Sequence, residues 1–253
     1  MARALPTAGE IVAAGWSQYL KDWKHLFEIS IRFLFAALVV FVAGIAAERM
    51  PDGMGVLVWL AGNLIGGVVS VHAIIVLIEY SLRREAKPEG AVPIEVKAGW
   101  TLFWPMIFIG ILSFFATLGG FIAFVLPAFW LSVLFSFAPF VLVEQNRRGT
   151  QALAASAELV HGRWWMTFWR LLVPALAVTV LALLVSLALY FVVGIFVGFD
   201  RVFGLSTMGT DLAALSPGVQ GTKALLQSIV ETLLIPLSII YQAKLYRALR
   251  ETR

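Results

Sequence analysis

From Thr101 to Val143 the chain runs without a single charged residue. At about 1.5 Å per helical residue that run measures roughly 64 Å, about twice the hydrocarbon core of a bilayer. It therefore divides into two spans, over 101–118 and 121–143, where Leu118-Gly119-Gly120 interrupts it. Four more apolar runs have spanning length. Leu26 to Ala47 covers 22 residues, or about 33 Å, and the others are 56–78, 165–191 and 224–243, the last being the most polar. The fifth span continues as an apolar tail to Phe199. Composition agrees: 60% of residues are hydrophobic and 13% charged, against about 45–50% and about 25% in a soluble domain. The expected fold class is an all-α membrane protein, a single membrane domain over 1–253 with six transmembrane helices.

The connections carry their positive charge on one side. Arg3, Lys21 and Lys24, then Arg83, Arg84, Lys87 and Lys97, then Arg147, Arg148 and Arg163, then Lys244, Arg247, Arg250 and Arg253 fall together. Only Arg49, Arg201 and Lys223 fall opposite. By the positive-inside rule both termini are expected in the cytoplasm, and the chain in the cytoplasmic (inner) membrane. The basic residues form no soluble face, so nucleic acid is not an expected partner. MARALPTAGE has no apolar core before its first polar turn, which argues against a cleaved signal peptide.

Two amphipathic segments read as interfacial. Over 7–24, Thr7 and Glu10 make a capping-box pattern, and Val12, Trp16, Tyr19 and Trp23 recur at helical spacing opposite Glu10, Ser17, Lys21 and Lys24. Over 150–163, Leu153, Ala157, Val160 and Trp164 repeat this more weakly. Seven of the nine tryptophans, at 16, 23, 100, 104, 164, 165 and 169, lie near the expected cytoplasmic boundary, as an aromatic belt requires. An internal repeat is also visible, since Val12-Ala-Ala-Gly-Trp-Ser17 parallels Val96-Lys-Ala-Gly-Trp-Thr101 and Ala154-Ala-Ser156 holds a similar place before the fifth span. It points to three hairpins, each preceded by an interfacial segment.

Several short motifs fall in a definite order: E-I-V-A-A-G-W-S-Q-Y-L at Glu10 to Leu20, Pro127 within the fourth span, and A-P-F-V-L-V-E ending at Glu144. A polar turn at Gln145 to Gly149 follows, then A-L-x-x-S at Ala152 to Ser156, Gly162, Trp164-Trp165, and P-L-x-x-I-x-x-x-x-L-Y-x-x-L-R from Pro236 to Arg250. This order resembles the membrane domain associated with glycerophosphoryl diester phosphodiesterases and its stand-alone six-span relatives. A Pro-Gly pair in that pattern is Pro127-Ala128 here. The resemblance implies six spans and little about function, because the phosphodiesterase activity of fused members belongs to a soluble barrel. The longest connection here, Asp200 to Lys223, is 24 residues, and no catalytic residue carries over.

Motifs that bear chemistry are missing from the sequence. With no cysteine there are no disulfides, thiolate sites or Cys nucleophiles. H-E-x-x-H, G-x-S-x-G, G-x-x-x-x-G-K and G-x-G-x-x-G do not occur, and His25, His72 and His161 are far apart. Neither a cofactor nor a metal is expected. Ionisable residues within spans are the better clues. In the sixth span Gln227, Glu231, Ser238 and Gln242 fall within about 60° of one another on a wheel of about 100° per residue, a stripe expected to face the bundle interior. Glu28 and Arg32 have the spacing of a helical ion pair. His72 and Glu79, seven apart, and Arg170 are further candidates, and Gly62-x-x-x-Gly66 in the second span is a close-packing motif. The reading is a non-enzymatic integral membrane protein whose bundle binds a membrane-protein partner, a lipid or a small solute. The first alternative is a transporter or channel-like protein using the polar faces of spans two and six; the second is an intramembrane enzyme.

Overall fold

The computed structural model describes residues 5–87, 96–123, 125–197 and 217–252. Among these residues every regular element is a helix: α1 Ala8–Glu48, α2 Asp52–Ala86, α3 Val96–Thr101, α4 Phe103–Ala123, α5 Val125–Phe135, α6 Ala138–Gln145, α7 Thr150–Val160, α8 Trp164–Val197 and α9 Pro217–Glu251. Six helical stretches are long and apolar enough to cross a membrane: Ala8–Glu48, Gly53–Ala86, Phe103–Ile122, Val125–Gln145, Trp164–Phe196 and Lys223–Glu251. The protein is an all-α, multi-pass membrane protein. No residue of α8's most apolar stretch is buried inside the protein, and only 6% of α4's is. Such surfaces need hydrocarbon rather than water as their solvent. The connection expected over 200–223 lies outside the described residues as far as residue 216.

Two compact units make up the fold. The first comprises Met1–Ile29, Val71–Leu176 and Pro236–Arg253; the second comprises Ser30–Ser70 and Ala177–Ile235. In the first unit α1 opens with the expected capping box, in which the Thr7 N–H donates to Glu10 Oε2 at 2.7 Å and the Glu10 N–H to Thr7 Oγ1 at 3.2 Å. The boundary expected near residue 25 does not exist. α1 is one unbroken helix of 41 residues, because no proline or glycine pair between 16 and 47 interrupts the i→i−4 ladder. The segment 7–24 is therefore the first part of a long helix, with no boundary between it and the expected first span.

The break expected at Leu118-Gly119-Gly120 is likewise displaced. α4 continues to Ala123 and α5 begins at Val125 with Pro127 in its first turn, where a proline's missing N–H costs nothing. Gly120 serves a different purpose: a Cβ there would stand 2.9 Å from Ala128 N, so its hydrogen lets α4 and α5 close tightly. A second break falls between α5 and α6. Pro139 cannot donate to the Phe135 carbonyl, and α6 restarts at Ala138 with Pro in its first turn. Ser156 of α7 spans this gap, its Oγ donating to Leu134 O at 2.6 Å and accepting from the Phe137 N–H at 3.2 Å.

That contact also corrects the expected interfacial helix over 150–163. α7 lies against α5 and α6, with Ala152, Leu153, Ala155, Ser156, Leu159 and Val160 buried. Of the expected face Leu153 and Val160 are buried, while Ala157 is half-buried and Trp164 opens α8; the small residues at 152, 155 and 156 let α7 approach its neighbours closely. Gly149, with φ +54°, starts α7 against the Phe108 ring, and Gly162, with φ +77°, follows its end.

The two Gly-Trp pairs of the first unit pack through their glycines. Gly15 receives the ring of Tyr241 and Gly99 the ring of His72, while the tryptophans that follow, Trp16 and Trp100, are exposed. In the second unit the helices approach through small residues instead. Gly62 packs on Ala43, and a Cβ on Gly66 would stand 2.9 Å from Val40 Cγ2 and 3.1 Å from Ala36 O. One on Gly221 would stand 2.8 Å from Phe41 Cα. The Gly62-x-x-x-Gly66 contact expected of the second span thus forms.

Candidate functional site

The first unit holds a group of ion pairs between described residues. Arg84 grips Asp22 with two hydrogen bonds of 2.8 Å, from Nε and Nη2, and Asp22 is only 4% exposed. This fork-on-carboxylate geometry satisfies both oxygens of a nearly buried acid. Lys244 Nζ meets Glu85 Oε1 at 2.7 Å. Glu144, the last residue of A-P-F-V-L-V-E, takes three partners from α9: Arg250 Nη1 at 2.5 Å, Arg247 Nη2 at 3.2 Å and the Tyr246 hydroxyl, which donates at 2.7 Å. Gln145 Nε2 donates to the Tyr246 oxygen at 3.0 Å, and the fully buried Tyr246 ring stacks on Phe140. Arg247 also donates from Nη2 to Leu82 O at 2.9 Å, whereas its buried Nε has no hydrogen-bond partner.

These pairs border a cavity of about 620 Å³. Glu10, Ile11 and Ala14 of α1, Glu85 of α2, and Lys244, Arg247 and Glu251 of α9 line it. A narrower pocket of about 280 Å³ shares Ala14, Glu85 and Lys244, and adds Ser17, Gln18, Lys21 and Arg84. Together they bring both signs of charge to one short stretch of α1. Lys244 pairs with Glu85 and Arg247 shares Glu144 with Arg250, and each has donors beyond those it spends there, out of three per ammonium and five per guanidinium. Such a lining can orient a dipolar group without holding a naked charge.

The residues singled out from sequence lie elsewhere. Gln227 is exposed; Glu231, Ser238 and Gln242 are half-buried, and none of the four lines either cavity. The face of α9 that turns inward there carries Ser228 and Thr232, whose hydroxyls donate to the helix's own carbonyls Leu225 O and Ser228 O at 2.7 Å. Returning their hydrogen bonds to the helix lets two small polar residues be buried cheaply, while the longer stripe stays at the margin. The ion pair expected of Glu28 and Arg32 does not form. Glu28 enters no salt bridge among the described residues, and Arg32 Nη1 is buried without a hydrogen-bond partner.

His72 is 5% exposed and packs on Gly99 and Trp100, with ring centroids 4.7 Å apart. Glu79 pairs instead with Arg83 at 2.6 Å, and seven helical residues, about 10 Å, separate it from His72. Arg170 clamps the start of the chain, donating from Nε to Pro6 O at 2.6 Å and from Nη2 to Leu5 O at 3.4 Å. Among the described residues no three His, Asp or Glu side chains are grouped to hold a metal ion.

Sequence reasoning missed the Glu144 cluster. Its signal was present: Glu144 closes one motif of the quoted series, and Tyr246 and Arg250 belong to the last. Compared with family models, curated proteins and solved structures, the chain matches none.

Proposed function

We propose that the chain is a non-enzymatic integral membrane protein of the inner membrane, with both termini in the cytoplasm, that binds a dipolar ligand in the mixed-charge groove. The ligand is a lipid headgroup or a small solute bearing an anion and an ammonium. The observation that carries this reading is the groove's lining, where Lys244 and Arg247 stand beside Glu10, Glu85 and Glu251. An anionic group would draw on the protons that Lys244 and Arg247 do not spend on their carboxylates. The ammonium would meet Glu10 or Glu251. The asymmetry of Lys and Arg between the two sets of connections supports the orientation. The resemblance of its motif order to the phosphodiesterase-associated membrane domains is consistent with a membrane role.

Ala14 is exposed and lines both pockets, so Ala14→Trp fills the groove without moving a charge. Native mass spectrometry after mild detergent extraction should find a bound molecule of defined mass on the parent and not on Ala14→Trp, with melting unchanged. An empty parent, or an equal load on both, refutes the reading. Transport along the polar faces of spans two and six ranks second. It draws on Glu231, which is half-buried and makes no hydrogen bond among the described residues.

A further inference from the structure

A further cavity in the first unit, of about 560 Å³, is lined by six residues: Leu126, Pro127, Phe129, Trp130, Trp164 and Trp165. Four of the six are aromatic. Phe129 and Trp165 stand at 71° and 86° to the Trp164 ring, with centroids 5.6 and 4.8 Å away, so the rings wall the space from more than one direction. Trp164 is held in place twice, by stacking on Phe168 at 7° and by its indole N–H, which donates to Trp130 O at 3.2 Å.

A tryptophan of an ordinary interfacial belt turns its N–H to water or headgroups. Trp164 spends its N–H within the protein and offers the cavity only ring surface. The lining contains no carboxylate and no basic side chain. A primary ammonium entering would surrender hydrogen bonds to water with nothing to replace them. A quaternary ammonium has no such bonds to lose, and converging aromatic rings attract its charge through their quadrupoles.

We propose that the Phe129, Trp130, Trp164 and Trp165 cavity binds a quaternary ammonium group of the choline type, borne by a lipid headgroup or a free solute. This site is independent of the mixed-charge groove and stands or falls separately.

The full-length protein in maltoside detergent is dialysed to equilibrium with radiolabelled choline. Competition uses tetramethylammonium and 3,3-dimethylbutan-1-ol, the uncharged isostere of choline. Tetramethylammonium should displace the label, with the isostere at least tenfold weaker. Trp165 is 66% exposed, so Trp165→Leu should fold and weaken binding at least fivefold, while Trp165→Phe, which keeps a ring, should lose about twofold. In a parallel arm the protein is reconstituted with equal dioleoylphosphatidylcholine and dioleoylphosphatidylethanolamine, and the retained lipid is weighed. Enrichment of the choline lipid assigns the headgroup as source; binding of free choline without enrichment assigns a solute. Equal competition by the isostere, unchanged binding in Trp165→Leu, or neither choline binding nor lipid enrichment overturns the proposal.

Discussion

Each unit is packed internally by a different means. In the second, helices meet through Gly62, Gly66 and Gly221, positions where a Cβ would strike a neighbour. The first is organised by charge: Asp22 with Arg84, Glu85 with Lys244, and Glu144 with Arg247, Arg250 and Tyr246. Small-residue contacts work in hydrocarbon because dispersion and close approach, not water exclusion, drive helix association there. Ion pairs need partners in good geometry, and removing one partner costs more than never having had the pair. The first unit should therefore be fragile to single charge deletions, and the second to single enlargements.

The largest effect is expected at Glu144. Glu144→Leu leaves Arg247 and the fully buried Tyr246 hydroxyl without their acid, and loss of one member of a largely buried network costs about 3 kcal/mol. Thermal melting in detergent should fall steeply. A shift no larger than that of an exposed substitution would show that the cluster is well solvated and the contrast between units false. Next comes Gly66→Leu, which overpacks the contact with Val40 and Ala36 and should cost about 2 kcal/mol. If it melts like the parent, the second unit is not packed through its glycines.

Ser156→Ala should cost about 1 kcal/mol, because Leu134 O and the Phe137 N–H lose their shared partner at the α5–α6 break. Ser156→Thr keeps the hydroxyl but adds a methyl where the residue is 0% exposed. The alanine variant is thus the cleaner test, read by the same melting measurement.

What could be seen in advance divides along the same line. The helical stretches and the Gly62-x-x-x-Gly66 contact were legible because they depend on runs and spacings within one segment. Helix ends were less so. Gly119-Gly120 looked like a break, yet glycine in a helix also serves close approach, and only the neighbour at Ala128 decides which. The face of α7 was legible only in part, since Leu153 and Val160 are buried but Ala157 is half-buried and Trp164 belongs to α8, and periodicity does not say whether a face meets lipid or protein. The Glu144 cluster joins residues 102 and more apart in sequence, so no local pattern could assemble it. The stripe on α9, by contrast, was conspicuous on a helical wheel and lies outside the groove.

That stripe carries the smallest expected effect and the sharpest comparison with Glu144. Both are glutamates on apolar helices, but Glu144 has three partners whereas Glu231 is half-buried with no hydrogen bond among the described residues. A carboxyl without partners contributes nothing that Leu would remove, and Leu adds apolar surface where the surroundings are apolar. Glu231→Leu should therefore change stability by less than about 0.5 kcal/mol, in either direction. Glu231→Gln, which keeps the shape and removes ionisation, should be equally silent in melting and in retention of the groove ligand. If instead Glu231→Gln abolished a cation-dependent flux in proteoliposomes while melting stayed put, the acid would be working for transport. The reading that ranks second would then displace the first. A large drop in melting for Glu231→Leu would mean something else: an acid on α9 makes contacts in the membrane, and the second unit too depends on charge.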